Sequence, residues 1–301
     1  MRGRTSRPWW RRHGLDWLEA AAAYGIAYGF GLLPLPVASA VSGWIARTLG
    51  PRLGISRRAH ENLQRALPDL SLTQRRAVVR AMWDNFGRTV IELTQLGRYQ
   101  RLLGTDTFHY EGVEHVEACR RAGKPILFLS AHFGNWEVLG LLARRYGYEL
   151  IQVYRPTNNR LLDGLVRRLR TPACRHLVPK GQGGTRQLLK AARAGDPIGM
   201  LVDQRLSEGV VAPFLGLPAP TTPVAAQIAI RYGYALVPVK SLRVGGCRIR
   251  AVIEPAIEIP AEGDEAARVA AVTAEMNARI GRWVREHPGQ WLWLHRRWGK
   301  F

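Results

Sequence analysis

The densest chemistry in this 301-residue chain is a histidine and a glutamate flanking a glycine, in Ser130-Ala-His132-Phe-Gly134-Asn135-Trp-Glu137. An imidazole with an ordinary pKa of about 6.5 is suited to taking a proton from a hydroxyl near neutral pH. A carboxylate that accepts from one ring nitrogen fixes the tautomer and leaves the other nitrogen free as the base. Positions spaced as His132 and Glu137 are lie about 140° apart on a regular helix, so they share no helical face. The pair can meet only if His132 precedes the helix and Glu137 reaches back from its first turn, with Gly134 making the sharp bend. Amides at such a helix start can also receive developing negative charge. The plainer alternative is a structural histidine beside a helix-start glutamate. No Ser or Cys stands in a nucleophile elbow and no His-Glu-x-x-His zinc pattern occurs. Direct base-assisted transfer between two bound substrates therefore ranks above a covalent enzyme intermediate.

The elements that must position this pair are legible around it. The apolar run Ile126-Leu-Phe-Leu-Ser130 precedes the turn and Val138-Leu-Gly-Leu-Leu142 follows it, which reads as buried strand, tight turn and helix. Two more candidate strands, 150–154 and 198–202, end in Arg155 and in Asp203-Gln204. Ligands in open α/β sheets bind at the carboxyl ends of strands, so three strands delivering His132, Arg155 and Asp203 to one edge point to an enzyme. Helices are expected at 113–122, 185–194, 224–232 and 264–287, and further strands at 235–239 and 248–259. This alternation predicts an α/β fold with a mixed, largely parallel sheet flanked by helices. Residues 55–100 read as helical, with Ser71-Leu-Thr-Gln74 as a capping box and Trp83 and Phe86 as core residues. Arg75, Arg76, Arg80 and Arg88 give that segment a basic side, suited to anionic headgroups or simply to water.

The formal charge of +21 and pI of 11.1 imply an acidic partner, either nucleic acid, anionic lipid or an acidic protein. Cys119, Cys174 and Cys247 are widely separated and odd in number, which fits a reducing compartment with neither a disulfide framework nor a metal site. The start is basic (Arg2, Arg4, Arg7, Arg11, Arg12), and residues 20–46 then carry no charge. That run exceeds the ~20 residues that span a bilayer, yet it is rich in Ala and Gly and broken by Pro34 and Pro36. A signal peptide with Ala38-Ser39-Ala40 as cleavage site, a buried helix pair, and a membrane anchor or half-inserted hairpin all compete, and the last is preferred. Basic residues follow the run as well as precede it, so the positive-inside rule fixes no topology. The expected division is a basic start and apolar anchor over 1–50 and an α/β domain over 51–301.

The turn from Ser130 to Glu137 resembles the His-x4-(Asp/Glu) motif of glycerolipid acyltransferases, and in particular that of the late acyltransferases of lipid A biosynthesis. The likeness extends to Asn62-Leu63, Tyr154-Arg155-Pro156 with Asn158 or Asn159, Leu201-Val-Asp203-Gln204, Pro213-Phe-Leu-Gly216 and the tail Gln290-Trp-Leu-Trp-Leu-His295-Arg-Arg-Trp298. The Phe-Pro-Glu-Gly motif of the glycerol-phosphate branch is absent. The resemblance implies transfer of a fatty acyl group from acyl carrier protein to a hydroxyl of a lipid A precursor, with no cofactor beyond the thioester co-substrate. It implies His132 as general base and Glu137 as its orienting carboxylate. Gly134, Asn135, Arg155, Asp203 and Gln204 would form the substrate site, Arg155 taking acceptor phosphate or the oxyanion. The tail would close the fold, with some headgroup contact and no catalytic role. The enzyme would sit at the inner (cytoplasmic) membrane, its catalytic domain facing the cytoplasm. The same chemistry on another glycolipid, such as a phosphatidylinositol mannoside, is the neighbouring reading. A nucleic-acid-binding protein is the distant one. It leaves His132, Arg155 and Asp203 unexplained, and the arginines are spread along the chain without a recognisable nucleic-acid-binding motif.

Overall fold

In the computed structural model, which describes residues 9–299 apart from Arg175, a helical front precedes the α/β body. The basic residues Arg2, Arg4 and Arg7, and the side chains of Arg11 and Arg12, lie outside the described residues. The front comprises α1 (Trp9–Leu32), α2 (Leu35–Leu49), α3 (Ser56–Ala66), α4 (Leu72–Glu92) and α5 (Leu96–Arg101). The body continues with β1 (Phe108–Glu111), α6 (Val113–Arg121), β2 (Ile126–Ser130), α7 (Leu139–Arg145), β3 (Ile151–Tyr154) and α8 (Arg160–Arg170). After these come β4 (His176–Pro179), α9 (Gln182–Ala194), β5 (Ile198–Leu201), β6 (Arg205–Phe214), β7 (Leu217–Thr221) and α10 (Val224–Tyr232). The chain then forms β8 (Ala235–Gly245), β9 (Arg248–Ile253) and α11 (Glu265–Glu286).

Seven strands form one sheet in the order β1-β9-β8-β2-β5-β3-β4. Every neighbouring pair runs parallel except the β8–β9 hairpin. The expected mixed, largely parallel sheet flanked by helices is what the chain forms. β2 lies at its centre, and its apolar run is covered on both faces, as an interior parallel strand must be. Successive side chains alternate across the sheet. Leu127 and Leu129 pack in the core built with α10 and α11, whereas Ile126 and Phe128 face the core shared with α5 to α7. β6 and β7 make a separate antiparallel hairpin against α11, which the sequence reading did not anticipate.

The capping box at Ser71 forms as expected: the Gln74 amide donates to Ser71 Oγ, and the Ser71 amide donates to Gln74 Oε1. It starts α4, which α2 crosses closely through small residues. Ser42 Oγ donates to Gly87 O at 2.6 Å, and a Cβ on Gly87 would lie 2.4 Å from that of Ala46. The charge-free run expected to anchor the chain is cut at Pro34 into α1 and α2. Among the described residues no helix is long and apolar enough to cross a membrane. The two helices nevertheless leave large apolar side chains in the open, including Leu18 at 69%, Tyr28 at 67% and Trp44 at 55% exposure. The tail closes the fold: Trp291, Trp293 and Arg297 are fully buried.

Candidate active site

The turn after β2 is held by backbone on both sides. Gly134 takes φ +57°, and a Cβ there would stand 1.7 Å from the Ser241 carbonyl oxygen, so only glycine fits this bend. The tail runs alongside: the Leu292 amide donates to His132 O at 3.0 Å, and the Gly134 amide donates to Gln290 O at 2.9 Å. Beneath the turn, Asn135 is fully buried and its Nδ2 donates to Glu92 Oε2 at 2.7 Å. Glu92 in turn receives both terminal nitrogens of Arg243, at 2.7 and 2.8 Å. Arg243 Nε donates to Asn85 Oδ1, and Asn85 Nδ2 donates to Gly134 O at 3.0 Å. Gly134 and Asn135, expected to bind substrate, instead brace the turn, and neither lines the cavity described below.

His132 stands outside any regular helix, as its spacing to Glu137 required. Its orienting carboxylate is a different one. His132 Nδ1 lies 2.8 Å from Asp203 Oδ1, and the His132 amide donates to Asp203 Oδ2 at 2.9 Å. Trp291 Nε1 donates to the same Oδ2 at 2.8 Å. Asp203 is fully buried; burial alone would raise its pKa, but the charge and hydrogen bonds of His132, with His295 beyond, outweigh that and hold it well below the carboxylate range. Glu137, expected to orient the imidazole, is turned elsewhere. Its amide is capped by Asn135 Oδ1 at the start of the 3-10 turn Trp136–Val138, which aims the carboxylate at α8. There Arg170 grips it with two bonds of 2.8 and 2.5 Å, and Trp136 Nε1 adds a third at 3.0 Å.

His132, Glu137, Arg155, Arg170 and Gln204 line one cavity of about 940 Å³. Much of its lining is apolar, with Phe128, Leu142 and Tyr148 from the core on one side of the sheet and Leu129, Leu188 and Met200 from the core on the other. Exposed cations stand at the mouth, among them Arg155, Lys180, Arg186 and Arg205. Gln204 Nε2 lies 3.2 Å from His132 Nε2 and 3.3 Å from His295 Nε2. Of the residues expected at the site, His132, Glu137, Arg155 and Gln204 thus share the cavity, and Asp203 stands behind His132. Among the described residues no group of three His, Cys, Asp or Glu side chains is placed to hold a metal ion.

With a hydrogen on Nδ1, held by Asp203, His132 presents the lone pair of Nε2 to the cavity. A ring nitrogen able to accept a proton thus faces a largely apolar space with cations among its lining residues. The pattern of residues gave no notice of Arg170, which lies on a helix the sequence reading passed over. Glu92 did carry a signal, as a lone carboxylate within the apolar run Val90-Ile91-Glu92-Leu93.

One titration follows from the packing. Burial, with His132 adding to it against the pull of Asp203, lowers the His295 pKa from 6.5 to about 4. As pH falls through 6.5 the unfolded chain takes up a proton at this residue and the folded chain does not, so stability falls between about pH 6.5 and 4. The expected loss from this group is on the order of 3 kcal/mol. Melting temperatures across that range should fall less steeply for His295→Gln than for the wild type; equal slopes would contradict the assignment.

Residues 6–300 match the family model for bacterial lipid A biosynthesis acyltransferases. The chain is 24% identical over 294 residues to the lipid A biosynthesis palmitoleoyltransferase of Escherichia coli (strain K12), covering 95% of this chain and 91% of that protein. It is 26% identical over 304 residues to the lipid A biosynthesis lauroyltransferase of the same organism, covering 96% and 90%.

Proposed function

The chain belongs to the bacterial lipid A biosynthesis acyltransferase family, and from that premise we propose that it transfers a fatty acyl group from an acyl carrier protein thioester to a hydroxyl of a lipid A precursor. The observation that carries the reading is the base: an imidazole fixed at Nδ1 by a buried carboxylate, its Nε2 facing a large, mostly apolar cavity. The apolar walls suit an alkyl chain, and the volume lies within the range of sites that enclose a ligand. The cations at the mouth suit the phosphates of the acceptor and the acidic surface of the carrier protein.

In this mechanism His132 Nε2 takes the proton of the acceptor hydroxyl as its oxygen attacks the thioester carbonyl carbon. Asp203 stabilises the imidazolium that results. The tetrahedral intermediate expels the thiolate, which recovers the proton from His132 Nε2, leaving an ester and a free thiol. Arg155 is the candidate cation for acceptor phosphate or for the oxyanion. Glu137 holds Arg170 in the cavity wall beside the base. Ser130, the hydroxyl nearest the base in sequence, is committed to Val239 O at 2.7 Å, which supports transfer without a covalent enzyme intermediate.

We infer further that the protein works at the inner membrane with its catalytic body facing the cytoplasm. The uncovered apolar side chains of α1 and α2 support docking on the lipid surface where such an acceptor resides, and the net charge of +21 favours anionic headgroups. The direct test supplies purified protein with acyl carrier protein thioester and a lipid A precursor, and follows the product by mass spectrometry. The expected product is heavier by one acyl chain. Membrane lipids from cells with and without the gene give the second readout. An unchanged lipid A beside an altered phospholipid would remove the acceptor assignment.

A further inference from the structure

The tail brings a second imidazole to the base. His132 and His295 have ring centroids 5.1 Å apart, and the Gln204 amide nitrogen lies within hydrogen-bond distance of both Nε2 atoms. Gln204 lines the cavity and His295 does not. An amide nitrogen carries two hydrogens and donates only, so it can satisfy two unprotonated ring nitrogens at once. His132 Nδ1 faces a carboxylate and carries the ring hydrogen, which leaves its Nε2 as an acceptor. His295 is neutral near pH 7, because burial holds its pKa down to about 4, so its Nε2 is an acceptor too when the ring hydrogen is on Nδ1. Its backbone is fixed as well: Asn62 Nδ2 donates to the carbonyls of Trp293 and His295, at 2.7 and 2.8 Å.

We propose that His295 is a positioning residue: by accepting one hydrogen of the Gln204 amide, it holds the other at the nitrogen where the acceptor hydroxyl must bind. The inference rests on His132 being the base of the acyl transfer described above. When the hydroxyl arrives, it donates its hydrogen bond to the His132 Nε2 lone pair, and the Gln204 N–H turns its hydrogen bond from that nitrogen to the hydroxyl oxygen, keeping its own hydrogen. The bond to His295 is kept throughout, so the amide stays in place. The hydroxyl is then held at its hydrogen by His132 and at its oxygen by Gln204, which restricts the direction of attack. Without His295 the carboxamide loses its second anchor and can rotate away.

The test uses the full-length protein and four variants checked for wild-type melting. His295→Phe keeps a ring without the acceptor, and His295→Gln places a carbonyl oxygen near where Nε2 stood. With saturating acceptor, His295→Phe is expected to lose about tenfold in kcat, the effect of one ordinary hydrogen bond, with KM little changed. His295→Gln should recover most of that loss. In a Gln204→Ala background, adding His295→Phe should cost nothing further, because both act through one amide. Wild-type kcat in His295→Phe, no recovery in His295→Gln, or losses that multiply in the double variant would each overturn the proposal. A readout independent of turnover is the ¹⁵N resonance of the unprotonated His132 Nε2. It should move in His295→Phe as it does in Gln204→Ala, and a signal that stays fixed in His295→Phe overturns the coupling. Should the wild type transfer no acyl group, the functional reading falls, while this resonance still decides the role of His295.

Discussion

Asp203→Asn is expected to lower kcat by about 10³–10⁴ while leaving the fold intact, and His132→Ala to be at least as inactive. The argument is one of tautomers. Asp203 Oδ2 accepts two hydrogens, from the His132 amide and from Trp291 Nε1, so an asparagine in its place must put its carbonyl oxygen there. Its NH2 then faces His132 Nδ1, which has to become the acceptor. The ring hydrogen moves to Nε2, and the lone pair that should take the hydroxyl proton no longer faces the cavity. Glu137→Gln is the control that separates the two carboxylates of the site. It weakens the grip on Arg170 without touching the imidazole, so its loss should be the smaller one. Acyl-transfer kcat for the purified variants measures both. An Asp203→Asn enzyme within tenfold of wild type, or one more active than Glu137→Gln, would sink the assignment of Asp203.

That contrast marks how far the sequence could be read. The strand run Ile126–Ser130, the bend at Gly134 and the strand-end positions of Arg155 and Asp203 follow from local pattern, and the sheet places them as expected. The requirement that His132 stand outside the helix also came from spacing alone, and it holds. Which carboxylate the imidazole meets is a different kind of fact. Glu137 is near in sequence, but the side chain of Asn135 caps its amide and Arg170 draws its carboxylate to α8. Asp203 is remote in sequence yet adjacent in space, because β5 pairs directly with β2 and the Val202 amide bonds to Ser130 O. Strand order is set by the whole sheet, and no local window carries it. The tryptophans of the tail predict fold closure, which their burial supports. That Trp291 would also bond the carboxylate behind the base depends on the register of the tail against the turn, seen in the Leu292–His132 and Gly134–Gln290 bonds.

The same remoteness applies to the ion pair under the turn, and here the expected effect falls on stability as well as rate. Glu92 is fully buried and its carboxylate accepts from Arg243 twice, from Ser39 Oγ at 2.6 Å and from Asn135 Nδ2. Burial opposes the Arg243 charge, but Glu92 more than offsets it and raises the guanidinium above its ordinary pKa. Arg243→Met leaves that carboxylate buried with neutral partners only, a change that typically costs about 3–5 kcal/mol. For a chain of this size the melting temperature should drop by roughly 6–10 °C. Removing both charges in Glu92→Leu/Arg243→Met relieves the stranded carboxylate, so much of the melting temperature should return. Activity should not return with it. Asn135 loses its acceptor in the double variant, and Asn85 loses the guanidinium that fixes its amide against Gly134 O, so the bend carrying His132 is no longer held from below. Melting curves beside acyl-transfer kcat for the single and double variants separate the two effects. A double variant that recovers both stability and wild-type kcat would mean that the network supports the fold and has no part in placing the base.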